Sequence, residues 1–232
     1  MNAIPVPTST VTFSAILLAA GSSSRMQGAF KQLLPVPTPE GTLPLVRVTA
    51  QAILASNPAE VVVVTGHRGR EVMGALADLP VTFRSNPRHA EGQMTSVTAG
   101  LAALQTPCTA VMICLADMVL LEPDDYRALA NVFADLPRDA ILVPHHQGTR
   151  GNPVTFAASR VPEVLSGAVN PGCRKLIADH PQDVVCHEFD HDRYTADMDT
   201  TDDYTRIRAR LANKSAPVAA PTPSNASAPA HQ

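Results

Sequence analysis

The sequence predicts an α/β domain built on a doubly wound, mostly parallel sheet. Three observations carry this. Short β-type runs alternate with helical stretches across residues 13–211. The runs VVVV at 61–64 and AVMICL at 110–115 are nearly continuous rather than alternating, which implies helices over both faces of the strands. The chain has 232 residues and is 45% hydrophobic, which suits one core of ordinary domain size. Aromatics are only 4% and Trp is absent, so Val, Leu, Ile and Ala must form that core.

In chain order, strands are expected at Phe13–Ala20, Val61–Thr65, Val81–Arg84, Ala110–Leu115, Ile141–Pro144, Pro153–Phe156 and Val184–Glu188. Helices are expected at Leu43–Ser56, Gly69–Asp78, Met94–Gln105, Pro123–Asp135, Arg160–Ser166, Cys173–Asp179 and Asp202–Leu211. Residues 1–11, with prolines and small polar residues, read as a loose lead-in to a domain spanning 12–212. Residues 213–232 are rich in Pro, Ala and Ser with little apolar bulk to bury, so disorder is their expected state.

Composition excludes several classes. The net charge of −3 leaves no basic footprint for nucleic acid. The apolar run at 15–20 is too short to cross a membrane and lacks the basic lead of a signal peptide, so a cytoplasmic protein without a membrane partner is expected. Cys108, Cys114, Cys173 and Cys186 form no CxxC pair, so they read as free thiols in a reducing compartment. His145 and His146 are adjacent and point apart on a strand. His187 and His191 have no cysteine at ligand spacing, so no histidine metal site is expected.

In such sheets ligands bind beyond the carboxyl ends of the strands. The stretch LLAAGSSSRMQGAFKQLLP, residues 17–35, fits that place. A strand ends in small residues and Gly21, so backbone N–H groups can approach an anion unobstructed. Ser22, Ser23 and Ser24 add hydroxyls, and Arg25 and Lys31 add positive charge, so a polyphosphate is the natural occupant. Neither GxGxxG nor GxxxxGK[ST] occurs.

Asp117 follows the apolar run AVMICLA. It either caps a turn or, beside phosphates, ligates a hard dication such as Mg²⁺. Asp197 and Asp199, two apart in an extended segment, point the same way. Thr200 to Asp203 reads as a capped helix start. The stretch Asn86–Gly100 is a polar loop entering a helix. Gly92 would let a flat base approach and Ser96 would read its edge, or the loop simply caps the helix. No nucleophile elbow and no Ser/His/Asp order is legible.

The stretch LLAAGSSSRMQGAFKQLLPV resembles the signature of the MobA-like nucleotidyltransferases, LAAGxxxRMGxxKxLLP, at Ala19, Ala20, Gly21, Arg25, Met26 and Lys31, departing at Gln27. CLADMVLL, ADMDTTDDY, Arg150-Gly151-Asn152-Pro153-Val154 and Asn170-Pro171-Gly172-Cys173-Arg174 are similar to its later motifs, with Asn152 where His is usual. The resemblance spans about residues 13–211. It implies a Rossmann-like sheet of the nucleotide-diphospho-sugar transferase type. It implies nucleotide binding by Leu18, Ala19, Ala20, Gly21, Ser22, Ser23, Ser24, Arg25 and Lys31, with Glu91, Gly92, Met94 and Ser96 on the base side. Arg25, Lys31 and Asp117 would be catalytic. Asp117 and Asp199 would hold Mg²⁺, with Mn²⁺ as the alternative ion and Asp197 as the alternative ligand. Arg150, Asn152 and Arg174 would face the acceptor.

Within the family, the chain is most similar to the molybdenum cofactor cytidylyltransferases. That branch transfers CMP from CTP to a phosphorylated pterin, molybdopterin, and serves molybdenum hydroxylases; such a hydroxylase or its chaperone would be a partner. Transfer of GMP to the same cofactor, a sugar-phosphate acceptor, and a non-catalytic cofactor chaperone are the alternatives. The missing general base fits this chemistry, because a phosphate nucleophile is already ionised at neutral pH.

Overall fold

The computed structural model describes residues 11–23, 26, 28–166 and 173–215. Its centre is a sheet of eight strands. These are β1 (Phe13–Ala19), β4 (Val61–Thr65), β5 (Thr82–Ser85), β6 (Ala110–Leu115), β7 (Ile141–His146), β8 (Thr149–Arg150), β9 (Val154–Ala157) and β10 (Val184–Glu188). The order is β10-β7-β9-β6-β1-β4-β5, with β8 paired to β7. A separate hairpin joins β2 (Pro35–Thr38) to β3 (Gly41–Pro44). Seven helices are described: α1 (Leu45–Ala55), α2 (Gly69–Ala75), α3 (Gln93–Leu101), α4 (Pro123–Ala134), α5 (Val161–Ser166), α6 (Arg174–Asp179) and α7 (Thr201–Ser215).

All seven residues of β1 are buried, because each face of the strand has its own helical layer. Phe13, Ala15, Leu17 and Ala19 pack in one core with Val46, Ala50 and Ile53 of α1 and Leu129 and Phe133 of α4. Ile16 and Leu18 pack in the opposite core with Val97 and Leu101 of α3. The period-two alternation of a strand thus feeds two cores. Gly100 lets α3 lie directly on the sheet: a methyl group there would overlap Ile16 and come within 2.9 Å of Val64.

Pairing of β1 with β4 and β6, of β4 with β5, and of β7 with β10 is parallel. β9 differs, running antiparallel between β6 and β7. The chain leaves β7, pairs back on it as β8, and returns through the sheet as β9, so no crossover helix intervenes.

The β2–β3 hairpin was not predicted from sequence: its two strands carry three prolines, which weaken the strand signal. Pro44 keeps an extended backbone, so α1 begins at Leu45 rather than Leu43. α3 is shorter than expected, ending at Leu101 rather than Gln105, and α2 ends at Ala75 rather than Asp78. α7 runs through Ser215, past the expected domain boundary at 212, and residues 216–232 lie outside the described residues.

A third core explains what α7 does. Ile207 of α7, Val36 of β2, Leu45, Val119, Leu120 and Met198 bury together. The Tyr204 hydroxyl donates to the Pro35 carbonyl at 2.7 Å. The C-terminal helix is thereby clamped onto the hairpin that follows Lys31.

Candidate active site

Register sets the site. β1 and β6 pair in parallel with Leu18 opposite Leu115, and the Ala116 N–H donates to the Leu18 carbonyl at 3.2 Å. The chain after β1, Ala20-Gly21-Ser22-Ser23, therefore emerges beside Ala116-Asp117. Both line one cleft of about 690 Å³ at the carboxyl ends of the central strands, as expected for a doubly wound sheet.

The Ser-rich loop is braced from within. Ser23 takes a left-handed backbone with φ of 56°. Its hydroxyl accepts from the Lys31 N–H and donates to the Gln32 Oε1, each at 3.0 Å. Gln32 Nε2 donates in turn to the Gly21 carbonyl at 3.3 Å. Buried Gln32 was missed in the sequence reading; its one signal was an amide inside the otherwise apolar run KQLLP. Ser24, Arg25 and the Asn170–Gly172 segment lie outside the described residues.

Lys31 opens a single turn of helix and reaches the floor of the cleft. Its Nζ lies 2.5 Å from Asp117 Oδ2 and 3.1 Å from Asp199 Oδ1. The two carboxylate oxygens are thus no farther apart than those contacts laid end to end. Burial works to lower the Lys31 ammonium, but Asp117 and Asp199 outweigh it and hold the pKa above its ordinary value.

Asp199 and Asp197 reach the cleft because Met198 between them is fully buried in the third core. Alternation along an extended segment then turns both neighbours to the other side. The helix that follows is capped as the sequence suggested. Thr200 Oγ1 accepts from the Asp203 N–H at 3.1 Å, and the Asp203 carboxylate accepts from the Thr200 N–H at 2.9 Å. Burial raises the Asp197 carboxyl above its usual range, and Asp117 and Asp199 add to the rise while Lys31 opposes it.

The other oxygen of Asp117, Oδ1, is buried with no hydrogen-bond partner among the described residues. A buried carboxylate oxygen without a hydrogen-bond donor fits a hard dication. The described residues hold no ready cluster of three or more ligands. Mg²⁺ is usually held by one or two carboxylates plus phosphates and waters.

Of the residues expected on the base side, Ser96 lines the cleft, buried, with its hydroxyl accepting from Asn86 Nδ2 at 2.9 Å. Glu91, Gly92 and Met94 do not line it. The Glu91 carboxylate pairs with Arg88 on the exposed surface at 2.6 Å, which holds it outside. His89 and Gln93 occupy that wall instead. Leu18 also lines the cleft, whereas Ala19 faces the opposite core.

The third wall carries Arg150, Asn152 and Arg174. Burial lowers the Arg150 pKa, and nearby Arg174 lowers it further against opposing Cys173 and Cys186. Neither arginine pairs with a carboxylate among the described residues, so this wall offers two cations to an anion. The loop is held from behind: the Asn152 N–H donates to the Tyr194 carbonyl at 2.9 Å, and the Tyr194 hydroxyl donates to the Asp125 carbonyl at 2.9 Å. Arg193 grips the buried Asp125 carboxylate through two bonds of 2.8 and 2.7 Å. An ion pair between residues 68 apart, with only Asp125 buried, leaves no local signal in the sequence.

Residues 15–184 match the model of the MobA-like NTP transferase domain family. The molybdenum cofactor cytidylyltransferase of Escherichia coli K12 is 29% identical over 198 residues, covering 84% of this chain and 95% of that protein. A nucleotidyl transferase from Methanothermobacter thermautotroptrophicus superposes with a TM-score of 0.74 at 22% identity, covering 88% of this chain and 99% of the other. A manganese complex of a Mycobacterium tuberculosis H37Rv protein superposes with a TM-score of 0.67 at 21% identity, over 85% of this chain and 98% of that one. The two structures share the fold; the match to the family model carries the relationship. No described helix is long and apolar enough to cross a membrane.

Proposed function

The chain belongs to the MobA-like NTP transferase family, and from that premise we propose that it moves CMP from CTP to a phosphorylated pterin, molybdopterin or the cofactor built on it, with release of pyrophosphate. The observation that carries the reading is convergence. A loop suited to phosphates, a lysine clamped by two carboxylates, and a wall of two arginines that form no ion pair among the described residues share one cleft. The first two suit Mg–triphosphate, and the third suits the phosphate of an acceptor.

The chemistry follows from that layout. An oxygen of the acceptor phosphate attacks the α-phosphorus, the bond from the α-phosphorus to the bridging oxygen breaks, and pyrophosphate leaves with the electron pair. No proton need be removed from the nucleophile. The residues therefore align and neutralise rather than abstract. Gly21 and Ser22 approach the phosphates through their backbone, and Lys31 adds positive charge where the pyrophosphate develops. Asp117 and Asp199 would hold Mg²⁺, or Mn²⁺ in its place, which when bound neutralises phosphate oxygens as a Lewis acid. Arg150 and Arg174 orient the acceptor phosphate. Asn152 adds an amide to that wall, and Ser96, His89 and Gln93 frame the base. Arg25 is the second catalytic cation of this reading, with Ser24 beside it.

The test is pyrophosphate release with each of the four NTPs, using molybdopterin-type and sugar-phosphate acceptors. CTP with the pterin should dominate. Preference for GTP would shift the reading to guanylyl transfer, and a sugar phosphate would replace the pterin if it alone were used. Nucleotide binding without pyrophosphate from any pair would leave a cofactor carrier. Delivery to a molybdenum hydroxylase or its chaperone in the cytoplasm follows from the pterin reading and is tested by co-purification.

A further inference from the structure

The most informative contact in the cleft is one that catalysis does not require. An ammonium meant for phosphates sits instead between the two carboxylates meant for a metal, at 2.5 Å from Asp117 and 3.1 Å from Asp199. We propose that Lys31 is a placeholder cation: without nucleotide its ammonium keeps a free divalent ion out of the gap between Asp117 and Asp199, and it yields that gap only when nucleotide phosphates offer it another anion. The inference rests on reading those two carboxylates as the metal ligands and extends it to how the site is loaded.

Several observations support it. The Lys31 and Asp117 side chains are only 12% and 15% exposed, so the pair is largely stripped of water, and Asp199 is 30% exposed. A lysine ammonium has three donors and no acceptor, and two of the donors are spent here on carboxylates. Among the described residues Lys31 forms ion pairs with these two groups and no other. A free Mg²⁺ would have to give up water, which it does reluctantly, and also displace an ammonium bonded to both carboxylates. A triphosphate changes that balance. The loop residues Gly21 and Ser22 line the same cleft as Lys31, so phosphates seated there give the ammonium a new partner.

The swing requires no backbone movement. The Lys31 N–H is fixed to the Ser23 hydroxyl at 3.0 Å, and the Leu34 N–H closes the turn onto the Lys31 carbonyl at 3.1 Å. Only the four-carbon stem has to rotate. Metal and nucleotide then each favour the other's entry by the same factor, as linkage demands. The second oxygen of Asp117, Oδ1, is buried with no hydrogen-bond partner among the described residues and is ready for the incoming ion.

The probe is free Mn²⁺, titrated by electron paramagnetic resonance against the full chain with no nucleotide present. Wild type should bind it weakly and should tighten when CTP is added. Lys31→Met, which keeps the stem but loses the charge, should bind free Mn²⁺ roughly tenfold tighter than wild type, within the usual range of site coupling. Lys31→Gln, which can still hydrogen-bond to both carboxylates, should behave alike and guards against a folding defect in the first variant. Lys31→Arg, still cationic, should stay weak. The proposal is overturned if both neutral variants bind free Mn²⁺ no tighter than wild type. It is also overturned if the tightened binding survives the added Asp117→Asn change, since the ion would then sit elsewhere. None of these readouts depends on turnover, so a failure of every NTP to yield pyrophosphate would sink the proposed reaction while leaving this result to stand by itself.

Discussion

Replacing Lys31 by alanine should nearly abolish turnover. The ammonium is largely buried and is held charged by Asp117 and Asp199, so it is a preorganised cation rather than a mobile surface one. Removing one such group from a developing charge should raise the barrier by about 3 kcal/mol, as for a single oxyanion donor. That corresponds to a rate lower by about 150-fold. The same change leaves Asp117 and Asp199 facing each other without their shared cation. Loss of one partner from a buried pair costs about 3–5 kcal/mol, and the partial exposure of Asp199 puts this site at the low end. The melting temperature of the metal-free variant should therefore fall, and Mg²⁺ should restore part of it. Initial rates of pyrophosphate release at saturating Mg²⁺ and nucleotide, with parallel thermal melts, separate the two effects. Turnover within about threefold of wild type, less than 1 kcal/mol of barrier, would refute the role of Lys31 on the phosphates.

Four further outcomes are expected. Asp117→Asn and Asp199→Asn should each raise the Mg²⁺ needed for half-maximal rate and weaken nucleotide binding only when Mg²⁺ is present, read by metal titration at fixed nucleotide. Gly100→Ala should cost about 1–3 kcal/mol in a denaturant melt, because the new methyl overlaps Ile16 and presses on Val64. Asp78→Asn should lower the melting temperature slightly at neutral pH: the bonds from Arg47 hold the Asp78 carboxyl down at about 2, so its contribution is present above its ordinary value of 3.8 and is lost as pH falls towards 2. Deleting residues 216–232 should leave both melting temperature and activity unchanged, because the segment carries little apolar surface.

The parts of the fold legible in the sequence are those written in local patterns. Continuous aliphatic runs gave the central strands, since burial on two faces removes the need for alternation. The capping pair Thr200 and Asp203 marked the start of α7 to within a residue. The β2–β3 hairpin was hidden because its prolines argue against strand while its backbone, off the main sheet, tolerates them. The antiparallel course of β9 was hidden because direction is fixed by pairing partners, which no local window contains. At the candidate site, the Ser-rich loop and Asp117 each follow a strand end, which a local window shows, whereas Asp199 lies well past β10. The wall around Ser96 is less legible. Nothing in the stretch HAEGQM distinguishes His89 and Gln93, which line the cleft, from Glu91, which Arg88 draws to the surface.

The acidic segment explains how α7, remote in sequence, comes to support the candidate cleft. Asp199 lies 168 residues from Lys31, yet the two meet at 3.1 Å. Their meeting depends on apolar packing on the other side of the backbone. Met198 is fully buried with Val36 and Ile207, and Tyr204 ties α7 to Pro35, four residues after Lys31. The hairpin that hides in the sequence is therefore the floor on which the second carboxylate is mounted. Further back along the same strand of chain, Tyr194 holds the Asn152 N–H and so steadies the arginine wall. One stretch of nine residues, 191–199, thus supports both the face proposed for the metal and the face proposed for the acceptor. Loosening either anchor should disturb both, whereas the Ser-rich loop, braced among the described residues by Gln32 and by the Lys31 N–H, should keep its shape.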